Sequence, residues 1–379
     1  MKKILSLILL SVIFSCQQMA EKPKVSYTKA DFETNINGKK VSLYHLQNAK
    51  GMEVYLTNYG AKLVSILVPD KDGKYADVIQ GFKSIKEYIN NDATQGAVVG
   101  PYANRIANAK FDLNGKTYNL EVNNHKANLH SGTSSFYRQV YDARQIKTTD
   151  GSAVELSLYS PDGAFGFPGN KNVKVTYTLK NDNSLSINYE VTTDKSCPFN
   201  MTNHSYFNLK GEGTGNILDQ ILMIDSDSTT EVLDSELIPT GKIISIKGTD
   251  MDFTTPCAVG KRINSDFLPI KVAGGYDHNY ILNKDQNGHE LTLAASDYDT
   301  ASGRFMEVYT TEPAIQIYTG NFLDGSLIGK SGKKYGHRFG MCFETQHYPD
   351  SPNHSNFPNT ILNPGETLHS TTIFKFSVK

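Results

Sequence analysis

The 379-residue chain predicts an all-β fold, a large antiparallel β-sandwich with few short helices. Three observations carry that prediction. From about residue 30 onward apolar residues recur at every second position, the period of a half-buried strand. The intervening segments are rich in Gly, Asn, Asp and Pro, which supply turn geometry. Helical spacing is scarce. Val173, Val175, Tyr177 and Leu179 alternate with polar residues, and after Asn181-Asp182-Asn183 the alternation resumes as Leu185, Ile187, Tyr189 and Val191. This is a hairpin, because Asn and Asp tolerate the left-handed backbone of a tight turn. Val154, Leu156 and Leu158 mark a further strand. So do Leu291 with Leu293, the run Ala314–Tyr318, and Phe374, Phe376 and Val378. The best helical pattern is Ser84–Asn90. No fixed-period repeat and no internal linker divides residues 30–379, which read as one domain.

The N-terminus is a targeting segment. Lys2 and Lys3 form a positive n-region, and Ile4–Phe14 is an apolar stretch too short to span a bilayer. Ile13-Phe14-Ser15-Cys16 resembles a bacterial lipobox, although Phe14 is bulkier than the usual residue there. Residues 1–15 are thus expected to be a signal peptide and Cys16 a lipidated N-terminus, with residues 16–29 as a tether. An ordinary signal peptide cut nearby is the competing reading. The expected location is a bacterial cell envelope, membrane-anchored and facing the periplasm. Loss of Lys2 and Lys3 takes the formal charge from −1 to −3, so no basic field recruits nucleic acid. Cys197, Cys257 and Cys342 are widely spaced, with neither a zinc pattern nor an obvious pairing; buried free thiols are expected.

Chemically capable side chains concentrate where the alternation breaks. Met341–Pro358 carries an apolar run to Glu344 and then enters a loop rich in Pro, Asn and Ser, which places a carboxylate at a strand end beside a loop-built cleft. Similar segments are Gly100–Ile106, Asn128–Gly132, Asn200–Leu209 and Gly274–Tyr280, with Glu312–Asn321 between the last of these and the glutamate strand. Glu344-x-x-His347 and Glu366-x-x-His369 have di-iron spacing on helices. Here Pro349 and Pro352 follow the first copy, and the second enters an alternating strand where i and i+3 face opposite sides, so no metal site is expected.

Taken in order over residues 30–379, with Asn-His-Ser-Tyr-Phe-Asn-Leu and Glu-Thr-Gln-His-Tyr-Pro-Asp among them, these motifs resemble the aldose 1-epimerase (galactose mutarotase) family. The resemblance implies a mutarotase-like supersandwich acting without cofactor on a monosaccharide, an aldohexose such as galactose or glucose. It also implies a monomer or weak dimer. Glu344 would be the base at the C1 hydroxyl, His204 the acid at the ring oxygen, and His130 an assisting histidine. Asn104, Arg105 and Asp277 would hold sugar hydroxyls, and Ser205 and Tyr206 would line the pocket. Such chemistry needs only one acid and one base on opposite sides of a bond. The chain departs from the family in reading Gly100-Pro101 where Gly-Arg is common and Ser131 where Gly is common. It has no Trp; Tyr141 is expected at one such position. Competing readings are a glycoside hydrolase with Glu344 and Asp277 as paired carboxylates and a sugar-binding lipoprotein without catalysis. A phosphosugar epimerase lacks a basic cluster at the motifs.

Overall fold

A computed structural model describes residues 25–91, 94–286 and 289–379. The expected signal peptide, Cys16 and most of the expected tether lie outside the described residues. The tether's final residues do not behave as one. Tyr27 is buried, its hydroxyl donates to Ser65 Oγ at 2.6 Å and its ring meets Phe32 edge-on. An aromatic ring with a buried hydroxyl partner belongs to the folded body, which therefore includes residues assigned above to 16–29.

Three antiparallel sheets dominate. The largest has nine strands, in the order Asp142–Thr148, Gly151–Ser160, Lys171–Lys180, Ser184–Thr193, Leu368–Val378, Arg304–Thr310, Thr292–Tyr298, Ile221–Ile224 and Cys257–Ala258. A six-stranded sheet runs Tyr206–Phe207, Met341–Gln346, Ala314–Tyr318, Asp277–Leu282, Ser226–Thr230 and Ile243–Ser245. Four strands between Leu43 and Asp77 form the third. The hairpin joining Lys171–Lys180 to Ser184–Thr193 turns at Asn183, whose φ is 67°. The strand expected around Leu291 begins one residue later, and Leu291 is left exposed ahead of the Thr292 strand.

Alternation decides which side chains meet. Val154, Tyr177, Phe207, Ile317, Phe343 and Phe374 belong to one buried apolar cluster fed by the two larger sheets, and Val54 and Ile66 join it from the third. Phe207 packs 4.9 Å from Phe374 and 6.0 Å from Phe343, which fastens the six-stranded sheet to the nine-stranded one. Thr345 Oγ1 meets Thr372 Oγ1 across the same gap at 2.5 Å. Along Met341–Gln346, therefore, Met341, Phe343 and Thr345 face the large sheet, while Cys342, Glu344 and Gln346 face away from it.

Only two short α-helices occur among the described residues. Ile85–Asn90 is capped by Ser84, which accepts from the Glu87 amide. Leu268–Ala273 starts with a proline in its first turn and stops at Gly274 in the left-handed region, signals too brief to give a readable helical period.

Phe374→Ala removes the ring at the junction of the two sheets. We expect a loss of about 3–5 kcal/mol in urea denaturation; a loss below about 1 kcal/mol would show that the junction collapses to fill the gap.

Candidate active site

Register sets the floor of the site. Asn279, Gln316 and Glu344 lie abreast on three adjacent strands, and Asp277, Tyr318 and Cys342 form the next row. Gln316 Nε2 donates to Asp277 Oδ1 at 2.6 Å, tying the rows together. Asp277 is fixed further through its neighbour. Its amide donates to His278 Nδ1, and His278 Nε2 donates to the Pro269 carbonyl.

His204 ends the short strand Thr202–His204 and sits over this floor, with Nε2 3.6 Å from Glu344 Oε1. The same alternation brings Tyr206 to its side, ring centroids 5.0 Å apart, and Tyr206 in turn meets Tyr318. Ser205 points the other way. It is fully buried and donates to Asn203 Oδ1 at 2.6 Å, and Asn203 in turn bonds the Gly96 carbonyl and the Tyr177 hydroxyl on the core side. The expectation that Ser205 lines the pocket is thus corrected: side-chain period two turns both neighbours of His204, Asn203 and Ser205, to the face opposite its own. Tyr141 is a core residue, wholly buried.

Two loops close the other side. Asn104 has φ 64° and its Oδ1 accepts from the Arg105 amide, turning the chain so that the guanidinium faces Asp277. Arg105 Nη2 lies 3.8 Å from Asp277 Oδ2, an ion pair too long for a direct hydrogen bond, so both groups keep capacity for a polyol. His130, Ser131 and Gly132 occupy the left-handed region in succession, at φ 55°, 65° and 91°. Ser131 is held there by its hydroxyl, which accepts from the Tyr102 amide and donates to the Tyr102 carbonyl. The His130 ring then lies 5.3 Å from that of His204, nearly perpendicular.

Asn200 fastens these parts to one another. Its side chain donates to the Ala103 and His347 carbonyls and accepts from the His347 amide, so the Arg105 loop and the end of the glutamate strand share one anchor. Asp350 adds a second, since its amide donates to the Arg105 carbonyl and its Oδ1 accepts from the Ala107 amide.

Burial controls protonation here. Desolvation pushes Glu344 well above the ordinary carboxylate range, Asp277 pushes in the same direction, and Arg105 opposes them. Desolvation lowers His204 to about 4, with the Lys62 charge contributing in the same sense. His130 is also held well below the usual imidazole value, first by burial and then by His204 and Arg105. Burial thus favours a protonated carboxyl beside a neutral imidazole over the charged pair. This differs from the simple expectation of a charged His204 and an ionised Glu344, because neither charge is well solvated. Glu344 Oε2 is buried and has no hydrogen-bond partner within the protein.

His130, His204 and Glu344 also bring three potential metal-ligand atoms within 4.8 Å of one another. The fit is poor. His130 Nδ1 accepts from the Asn104 amide, so the neutral ring carries its proton on Nε2, and a protonated nitrogen is a donor rather than a ligand. His347 and His354 are absorbed elsewhere, paired with Glu312 at 2.6 Å and Asp350 at 3.2 Å. His347 borders a separate cavity of about 710 Å³ that also includes Glu366 and His369.

The structure thus brings together Asn104, Arg105, His130, His204, Tyr206, Asp277 and Glu344 and turns Ser205 away. It adds Gln316 and Tyr318, which the sequence motifs did not single out; counting alternate residues along Ala314–Tyr318 would have put both on the face opposite the core.

Fold and site together define a β-sandwich with a buried carboxyl–imidazole pair set among fixed polar side chains. A family model for aldose 1-epimerase matches residues 42–375. The galactose mutarotase of Bos taurus is 40% identical over 355 residues, covering 93% of this chain and 99% of that protein. The aldose 1-epimerase of Escherichia coli K12 is 36% identical over 342 residues, covering 90% and 96%. The crystal structure of galactose 1-epimerase from Lactobacillus acidophilus superposes with a TM-score of 0.81 at 28% identity, covering 94% of this chain and 99% of that one. The chain belongs to the aldose 1-epimerase family, and it is an isomerase.

The inverted protonation is directly measurable. In an NMR titration of the free protein the His204 ring should stay neutral down to about pH 4, and the Glu344 carboxyl should lose its proton only well above the usual range. A His204 that titrates at the ordinary imidazole value of about 6.5 would contradict the burial argument.

Proposed function

We propose that the protein interconverts the α and β anomers of free aldohexoses, galactose or glucose, with Glu344 and His204 as the proton-transfer pair and without a cofactor. The buried Glu344–His204 pair, 3.6 Å apart within a wall of fixed hydrogen-bonding groups, carries this reading. A C1 hydroxyl that donates to the unpartnered Glu344 Oε2 satisfies that atom and favours the carboxylate, which shifts the shared proton to His204. In ring opening Glu344 takes the C1 hydroxyl proton, the O1–H electron pair becomes the C1 carbonyl bond, and the C1–O5 bond breaks. O5 takes the proton from His204 Nε2. The pair is then in the form favoured by burial. After rotation about C1–C2 the ring closes on the other face, with O1 reprotonated by Glu344 and the O5 proton returned to His204. No proton is gained or lost overall.

His130 serves as a fixed donor near the ring oxygen, since its Nε2 carries the proton. Arg105, Asp277 and Gln316, with Asn104 shaping the turn, hold hydroxyls away from the reacting centre. Tyr206 and Tyr318 give the apolar wall. Asp277 is engaged by Gln316 and Arg105, which suits a binding role better than that of a hydrolase's second carboxylate.

Polarimetry of fresh α-galactose or α-glucose tests the assignment. Wild-type protein should accelerate mutarotation of at least one, and no acceleration of either would sink it. Glu344→Gln and His204→Ala should each lower kcat by about 10²–10⁴-fold; full activity in both would leave the reaction standing and remove the pair.

We further propose that residues 1–15 are a signal peptide and that Cys16 carries a lipid anchoring the enzyme in the cell envelope, facing the periplasm. The lysine-flanked apolar segment before Cys16 supports this. Cys16→Ser should release the protein from the membrane fraction; unchanged partitioning would count against the anchor.

A further inference from the structure

We propose that Cys342 is a positioning residue for the isomerase reaction: its sulfur accepts a hydrogen bond from His204 Nδ1 and keeps that ring proton in place, so that Nε2 is the nitrogen that exchanges a proton with the sugar. The inference rests on the role of His204 proposed above. Cys342 Sγ lies 3.5 Å from His204 Nδ1, within the range of a hydrogen bond to sulfur, while Nε2 faces Glu344. The cysteine is fully buried, and its register partners are Tyr206 and Tyr318, the two tyrosines that flank the imidazole. Alternation places it on the same face of the strand as Glu344, two residues along.

A neutral imidazole has two tautomers, and only the Nδ1–H form leaves an Nε2 lone pair able to take the O5 proton on ring closure. Something must therefore accept from Nδ1. His204's own carbonyl is a second acceptor near the ring; one of its lone pairs receives the Gly96 amide at 3.0 Å, and the other supports the same Nδ1–H tautomer. The remaining ionisable groups facing the ring are His130, Tyr206, Tyr318, Glu344 and, by its field, Lys62; of these only Glu344 is placed against Nε2. Burial holds the thiol protonated, so the sulfur is a weak neutral acceptor that leaves a protonated His204 strongly acidic. His130 has the opposite arrangement, because a backbone amide donates to its Nδ1. One histidine is thereby fixed as a donor at Nε2 and the other kept free for exchange.

The tautomer can be read from nitrogen-15 shifts of the His204 ring at neutral pH. We expect the proton on Nδ1 in the wild type and in Cys342→Ser, whose hydroxyl can still accept. In Cys342→Ala we expect a shift toward the Nε2–H form, with kcat down by roughly ten- to a hundredfold and KM little changed. Wild-type His204 carrying its proton on Nε2 would overturn the proposal, as would a Cys342→Ala protein with unaltered tautomer and kcat. Should Cys342→Ala fail to fold, the wild-type and Cys342→Ser shifts decide. If the wild type shows no mutarotation, the proposed function fails, while the tautomer measurement still tests the sulfur contact on its own.

Discussion

The removal of Glu344 from water is the constraint on which the site depends. A carboxyl in that position gives up its proton reluctantly, and the same desolvation makes His204 reluctant to accept one. Both shifts favour the same arrangement, the proton on the carboxyl, which reverses the order the two groups have in solvent. In the proposed reaction a sugar hydroxyl replaces part of the missing hydration and moves the proton across the pair. Exposed side chains of the same types would sit as a charged carboxylate and a mostly neutral imidazole, with water competing for every hydrogen bond.

Keeping such a pair dry requires a wall that does not move. Asn200 and Asp350 supply this by bonding to backbone groups in segments far apart in sequence, the Arg105 loop and the chain after Glu344. Tyr102 does similar work, since its hydroxyl donates to the Tyr348 carbonyl and accepts from the Ser351 amide while its own backbone is clasped by Ser131. Loops dense in Asn, Ser and Asp thus act as a rigid frame. The anion-like and cation-like groups of the cleft are held by neutral hydrogen bonds rather than by their charges alone.

Much of this was legible in the sequence, for identifiable reasons. Strands such as Lys171–Lys180, Ser184–Thr193 and Ala314–Tyr318 have one face in the core, so their alternation survives as a pattern. Glu344, His204, Arg105 and Asp277 sit in dense polar motifs that interrupt that pattern. The misreadings have physical causes too. Ser205 was grouped with His204 because motif proximity ignores the direction of side chains along a strand. Gln316 was hidden inside an apolar run, where a lone amide gives no signal until its two neighbouring strands are known. Protonation could not be read at all, because desolvation is a property of the assembled sheets. Tyr27 looked like tether for the opposite reason: its partner Ser65 is distant in sequence.

The two-sided character of Met341–Gln346 has one more effect. Glu344 lies between Phe343, which reaches Phe374 of the nine-stranded sheet through Phe207, and Thr345, which meets Thr372 of that sheet directly. A slip of one residue would drive the carboxylate into the hydrocarbon junction and turn a phenyl ring or a methyl-bearing hydroxyl toward the sugar. Turnover recovered after denaturation therefore counts correctly threaded molecules, and the ratio of turnover to regained β-sheet signal measures how often refolding chains close in a wrong alignment.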